Sequence, residues 1–67
     1  MYSIIVRGTT NSHWWLEEAK NNAAAVAAYA SIVAETIASQ DAFEGTITLN
    51  IIAPDGTAHI MRSVTFG

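Results

Sequence analysis

The sequence contains no cysteine, a single proline and few charged residues. Without cysteine there can be no disulfide framework, no thiolate metal site and no thiol nucleophile. Three Lys and Arg residues stand against six Asp and Glu residues, for a formal net charge of −3. That is too few cations to bind a polyphosphate backbone. The composition therefore argues against nucleic-acid binding, and we take the cytoplasm as the default location.

The chain has 67 residues, so we predict one small domain, residues 1–67. No apolar run approaches the roughly 20 residues that cross a bilayer, and the start lacks the pattern of a signal peptide, so we expect no membrane association. Charged residues make up 13% of the chain and hydrophobic residues 51%, whereas about 25% charge is usual. We infer that part of the surface is covered by copies of the chain or by another protein.

The first half of the chain predicts a strand followed by a long helix. Residues 3–7 are rich in β-branched side chains and roughly alternate, whereas residues 23–30 consist mostly of alanine, the best helix former. After the turn formers at 8–12, a helix over residues 13–40 would be about 40 Å long, more than a strand of eight residues spans. We therefore keep a break at Asn21-Asn22 as the alternative, since asparagine caps helices and is a poor interior residue.

The second half predicts a β-hairpin. Residues 46–51 alternate with period two, Pro54-Asp55-Gly56 forms a turn, and residues 59–66 form the last strand. A four-residue loop would place Ile51 opposite Ile60 and Ile47 opposite Val64. The predicted fold is α+β, in the order β-α-β-β, with a three-stranded, mainly antiparallel sheet and the last strand in its centre. One alanine-rich helix covers the face that displays Ile47, Leu49, Ile51, Ile60, Val64 and Phe66.

The predicted helix has an outer face without charge. No charged residue lies between Lys20 and Glu35, although the solvent side of a surface helix is usually charged. Small residues allow two helix backbones to approach closely, which favours contact with another subunit. An exposed polyalanine face is the alternative. The candidate oligomer face consists of Ala23, Ala24, Ala27, Ala28, Ser31 and Ala34.

Other apolar residues are candidates for contact with a partner or ligand. Trp14 and Trp15 would point about 100° apart on a helix, so only one can join a stripe that faces the sheet. We assign Trp14, with neighbouring His13, to a partner or ligand. The stripe that faces the sheet consists of Trp15, Ala19, Val26, Tyr29 or Ala30, Val33 and Ile37. On the sheet face away from the helix, the candidate contact residues are Ile5, Ile52 and Met61.

No motif predicts catalysis, a metal site or a cofactor. His13 and His59 lie in different elements, without a nearby carboxylate at metal-ligand spacing. Glu17 and Glu18 are adjacent and would diverge on a helix, so they do not form an acid–base pair. No serine lies in a nucleophile elbow, and no glycine-rich loop with a lysine could hold phosphate. We therefore predict a protein that is not an enzyme.

One family resemblance concerns Gly8-Thr9-Thr10 followed by Trp14, a helix, and two strands that end in Val64-Thr65-Phe66. This pattern resembles the dodecins, which are small β-α-β-β proteins that form hollow dodecamers. The resemblance implies a closed oligomer that holds flavins between subunits by stacking on tryptophan. The dodecin tryptophan belongs to the second strand, and residues 46–51 contain none.

The leading functional hypothesis is a protein–protein interaction module that acts as a homo-oligomer, a dimer or larger. A small inhibitor or adaptor of the kind carried by phages and mobile elements suits its size and low charge. A dodecin-like carrier of a planar molecule such as a flavin is the first alternative. A structural protein whose product is its own assembly is the second.

Overall fold

The computed structural model describes residues 1–8, 11–39 and 42–67. Thr9, Thr10 and the predicted helix end at Gln40 lie outside the described residues. One helix packs on an antiparallel sheet, which confirms the α+β class, but the sheet has four strands rather than three. The elements are β1 (Tyr2–Gly8), β2 (Ser12–Leu16), α1 (Asn22–Ala38), β3 (Gly45–Ile52) and β4 (Ala58–Phe66).

The additional strand, β2, occupies a segment for which the sequence predicted helix. It pairs antiparallel with β1, so that Ile4 lies opposite Trp14. Histidine and tryptophan are compatible with a pleated edge, where pairing with β1 provides the hydrogen bonds. The prediction of one helix from residue 13 is therefore wrong.

The helix begins at the asparagine pair that the sequence singled out. Asn21 has extended backbone angles, and its side chain accepts a hydrogen bond from the Ala24 amide at 2.9 Å. This is an N-cap, which satisfies one of the free amides of the first turn. The alternative with a break at Asn21-Asn22 thus gives the correct start of the long helix, but the segment before it contains a strand and not a short helix.

Strand β1 lies inside the sheet, whose order is β2-β1-β3-β4. The predicted order, with the last strand in the centre, is wrong. Because β2 reverses the chain before the helix, β3 arrives antiparallel to β1 and can pair with it directly. The helix connects β2 to β3, which are parallel to each other and are separated by β1. The last strand, β4, is left at an edge.

The β3–β4 turn is one residue shorter than predicted. The Ala53 amide donates to the Thr57 carbonyl at 2.8 Å, and the Gly56 amide donates to the Ala53 carbonyl at 2.9 Å. Gly56 has a φ of 89°, as expected in a three-residue hairpin loop that ends in a left-handed glycine. The Thr57 amide also donates to the Asp55 carboxylate, and this bond lowers the pKa of Asp55.

The predicted β3–β4 register holds for only one half of the hairpin. Ile47 lies opposite Val64 as predicted, whereas Ile51 lies opposite His59 and not Ile60. A β-bulge between the two halves leaves Met61 as the extra residue of β4. A bulge reverses the alternation of side chains beyond it, so Ile60 is carried to the other face of the sheet.

The core lies between α1 and the two inner strands. Ile4, Ile47 and Leu49 are fully buried, which confirms two of the three β3 residues predicted to face the helix. The third, Ile51, is half-buried and packs against this cluster. Val64 and Phe66 pack against this cluster as predicted. Ile60 is 71% exposed, so its predicted place under the helix is wrong. The bulge turns its side chain to the other face of the sheet.

Two tyrosine hydroxyls fix the helix over β1 and β3. Tyr29 donates to the Ile47 carbonyl oxygen at 3.0 Å, and Tyr2 donates to the Asn22 side chain. Burial raises the pKa of the Tyr29 phenol above its ordinary 10.0, while the nearby charge of Arg62 acts in the opposite direction. The helix is thereby tied to the inner strands at both its N-terminal and its central turns.

Replacing Tyr29 with phenylalanine should lower the free energy of unfolding by about 1 kcal/mol at neutral pH, because one buried hydrogen bond is lost. The raised pKa of Tyr29 adds a pH dependence to this difference. The protonated phenol contributes fully to the free energy of unfolding at pH values below the pKa of Tyr29 in the unfolded chain. This stabilisation is lost as the pH rises through the higher pKa of Tyr29 in the folded chain. Urea unfolding at about pH 7 and about pH 11 should show the two proteins converging at alkaline pH. A constant difference would contradict the assigned role of the hydroxyl.

Candidate functional site

The sheet face opposite α1 is covered by no other element of the described chain, and we call it the uncovered face. Directly paired residues of antiparallel strands share a face. One row across all four strands therefore consists of Trp15, Ser3, Asn50 and Ile60. Trp15 is 55% exposed and Ile60 is 71% exposed. The row thus has a large apolar side chain at each end and two small polar side chains, both buried, between them.

The neighbouring row adds a second aromatic ring. It consists of His13, Ile5, Thr48 and Ser63. His13 and Trp15 are two positions apart on β2, and their ring centroids lie 4.5 Å apart with an interplanar angle of 34°. The two rings form an aromatic ledge along the β2 edge of the uncovered face.

The uncovered face carries little charge. Arg7 is its one lysine, arginine or acidic residue among the described strand positions. The remaining positions are aliphatic, aromatic or hydroxyl- and amide-bearing side chains. A surface of this composition can bury apolar area and exchange hydrogen bonds without desolvating many charges. It is suited to another protein surface or to a planar uncharged ring.

The predicted contact residues are divided between the two faces. Ile5, His13 and Ile52 lie on the uncovered face. Trp14 lies opposite Ile4 and therefore on the helix side. The two tryptophans are neighbours on a strand and point to opposite faces of the sheet, so the predicted angle of about 100° between them on a helix is wrong. Met61 also departs from the prediction, because at the bulge it packs against the core.

Two exposed residues of the uncovered face were not predicted. Trp15 was assigned to a helix stripe facing the sheet, because residues 13–16 were taken as helical. Ile60 was assigned to the core, because no residue type in β4 signals a bulge. Strand alternation of residues 12–16 would have placed Trp15 correctly, whereas no sequence signal identifies Ile60.

The predicted oligomer face of the helix is mostly exposed. Ala28 is the exception, since it is half-buried and packs against the core cluster. It lines a cleft of about 510 Å³ between α1 and the end of β2 with the segment that follows it. The exposed members of the predicted face are Ala23, Ala24, Ala27, Ser31 and Ala34.

The described residues contain no group of three or more His, Asp and Glu side chains that could hold a metal ion. His13 and His59 lie on strands at opposite edges of the sheet. Nor is there, in the described part of the chain, a helix long and apolar enough to cross a membrane.

No protein-family model, curated protein sequence or solved structure matches this chain. The four-stranded sheet also differs from the β-α-β-β order of the dodecin resemblance, because β2 precedes the helix.

Proposed function

We propose that this chain is a non-enzymatic protein–protein interaction module that works as a homo-oligomer. The observation that carries the proposal is the uncovered face, where Trp15 and Ile60 are exposed at the two ends of one row. A face that carries little charge and exposes a tryptophan is typical of protein interaction sites. Tryptophan is enriched among the residues that dominate binding free energy.

The proposal gives the two sides of the molecule separate tasks. The uncovered face binds a partner protein, and the helix side associates with other copies of the chain. A chain of 67 residues has a small core, and self-association extends it. A small inhibitor or adaptor that acts by docking, of the kind phages and mobile elements carry, is the class of protein that fits this arrangement.

The two adjacent tryptophans provide the test of the partner-binding surface. Trp15 lies on the uncovered face and Trp14 on the helix side, so Trp15→Ala should abolish capture of a partner that wild type and Trp14→Ala retain. The captured protein must be stoichiometric and must be the same for wild type and Trp14→Ala. Equal capture by the Trp15→Ala variant would contradict the assignment of the uncovered face. Circular dichroism of both variants would check that each remains folded.

A planar small molecule is the second candidate partner, and the ring pair of His13 and Trp15 favours it. An aromatic ledge at the surface can stack on a flat ring such as a flavin. In that case purified protein should absorb beyond the tryptophan band, and added flavin should quench tryptophan fluorescence in wild type but not in Trp15→Ala. A colourless protein without quenching would leave the protein-binding function as the one supported.

A further inference from the structure

Helix α1 carries a second apolar stripe beside the one that packs on the sheet. The sheet-facing side contains Ala25 and Tyr29, which are both buried. Residues one position further along lie about 100° further around the helix axis. Their spacing of four, three and four residues is that of a seam along which two helices pack together. This stripe, which we call the seam, consists of Val26, Ala30, Val33 and Ile37.

The protomer buries the seam only in part, through Val26 and Val33, which pack against the core cluster. Ile37 is 68% exposed, Ala30 is exposed, and Val26 and Val33 are half-buried. The seam forms one wall of a groove of about 460 Å³, and β4 forms the other wall through residues that include Arg62 and Val64.

The groove follows from the dimensions of a helix and a sheet. A helix about 10 Å wide covers roughly two strands spaced about 4.8 Å apart. The hydrogen bonds of Tyr2 and Tyr29 hold α1 over β1 and β3. The helix side of β4 is consequently covered only in part by the described part of its own chain, with Phe43 against Phe66 at one end and Val64 half-buried.

The whole chain exposes more surface than a self-sufficient monomer of its size. Its accessible surface is 4604 Å², whereas a folded monomer of 7.2 kDa should expose about 4100 Å². Its radius of gyration is 11.9 Å, against about 10.9 Å for a compact chain of this length. The excess of about 500 Å² approaches the roughly 800 Å² that each partner buries in a stable interface.

We propose that the seam is the self-association surface and that its occupant is the seam of a second copy, related by a two-fold axis near Ala30. Val26 and Val33 flank Ala30 on either side, so an antiparallel arrangement presents the same apolar pattern to both helices. Alanine at the crossing point allows close approach of the backbones. This inference rests on the proposed homo-oligomeric function, and it sets the smallest unit as a dimer.

A second copy fits the seam better than a charged partner does. The four seam residues contain no ionisable group, so an acidic or basic peptide would find no counter-charge along them. Arg62, at the β4 wall, is exposed and can keep its guanidinium in water while its methylene groups pack. The proposed interface is therefore not the predicted alanine face but the adjacent side of the helix, toward β4.

Two glutamate substitutions at exposed alanines of the same helix separate these surfaces. Ala30→Glu places a charge in the middle of the seam, whereas Ala27→Glu places it on the outer alanine face. By light scattering coupled to size exclusion, wild type and Ala27→Glu should be dimeric or a larger even-numbered oligomer. Ala30→Glu should raise the dimer dissociation constant about 100-fold or more, because the carboxylate must lose its water at the helix crossing, where the other seam residues offer it no counter-charge. Circular dichroism should show the same helix content in all three.

The possible outcomes distinguish the seam from the function on which it rests. Dissociation by Ala27→Glu but not by Ala30→Glu would overturn the seam and leave the homo-oligomer in place. A monomeric wild type would overturn the homo-oligomer itself. If Ala30→Glu does not fold, Ile37→Gln takes its place, because Ile37 is largely exposed in the protomer and should matter only in the dimer. An unchanged dissociation constant for Ile37→Gln would contradict the proposal.

Discussion

Replacing Ile47 with alanine should lower the free energy of unfolding by about 2–5 kcal/mol. Ile47 is fully buried on the inner strand β3, between Val6 on one side and Val64 on the other. Truncation would remove buried methyl groups and leave a cavity that the flanking strands cannot close. A chain of 67 residues is expected to have only about 3–10 kcal/mol of total stability. Urea denaturation should therefore show a variant close to the limit of folding.

Ile60→Ala is the matched control, because it removes the same atoms from a neighbouring strand. Ile60 is 71% exposed on the uncovered face, so the change in unfolding free energy should stay below about 0.5 kcal/mol. Equal losses for the two substitutions would contradict the bulge at Met61 and the placement of Ile60 away from the core.

The second large effect is expected at Gly45, where alanine should cost about 3 kcal/mol or more. Gly45 has a φ of 149°, a conformation that favours glycine. A Cβ there would overlap the Arg7 carbonyl oxygen and would lie 2.8 Å from the Gly8 Cα. Because both neighbours are backbone atoms of the paired strand β1, the clash can be relieved only by separating the strands.

Gly56→Ala is the control that measures the cost of the backbone conformation without a steric clash. Gly56 also has a positive φ, of 89°, but a Cβ at this position would meet no atom within 4 Å. Its cost should be about 1 kcal/mol, which is the conformational part alone. Thermal or urea unfolding of both variants should show the larger loss at Gly45. A loss at Gly56 as large as at Gly45 would contradict the close approach of β1 and β3.

The sequence predicted the elements whose signal is local. The alanine run over residues 23–30 predicted the body of α1, the alternative with a break at Asn21-Asn22 gave its start, and strict alternation predicted β3. Strand β2 was missed because His13, Trp14 and Trp15 are compatible with either state, and pairing with β1 decides between them. Pairing between strands is a tertiary effect, and a short stretch of sequence does not predict it.

The candidate site was predicted in part for the same reason. Ile5 and Ile52 follow from strand alternation and were placed on the side away from the helix, whereas His13 was named only as the neighbour of Trp14 on the predicted helix. Ile60 depends on the bulge at Met61, which has no distinctive residue type in β4. The seam was hidden by the assumption that Val26, Val33 and Ile37 all face the sheet. Only the position of α1 over the two inner strands shows that this stripe is left beside β4.

The central claim is that the chain associates with itself, and its native mass tests this claim most directly. Light scattering coupled to size exclusion should be recorded over a range of protein concentrations, with an absorbance spectrum taken across the same peak. The account predicts a discrete oligomer with an even number of subunits, the dimer being the smallest. A peak at 7.2 kDa, the mass of one chain, at every concentration would contradict it.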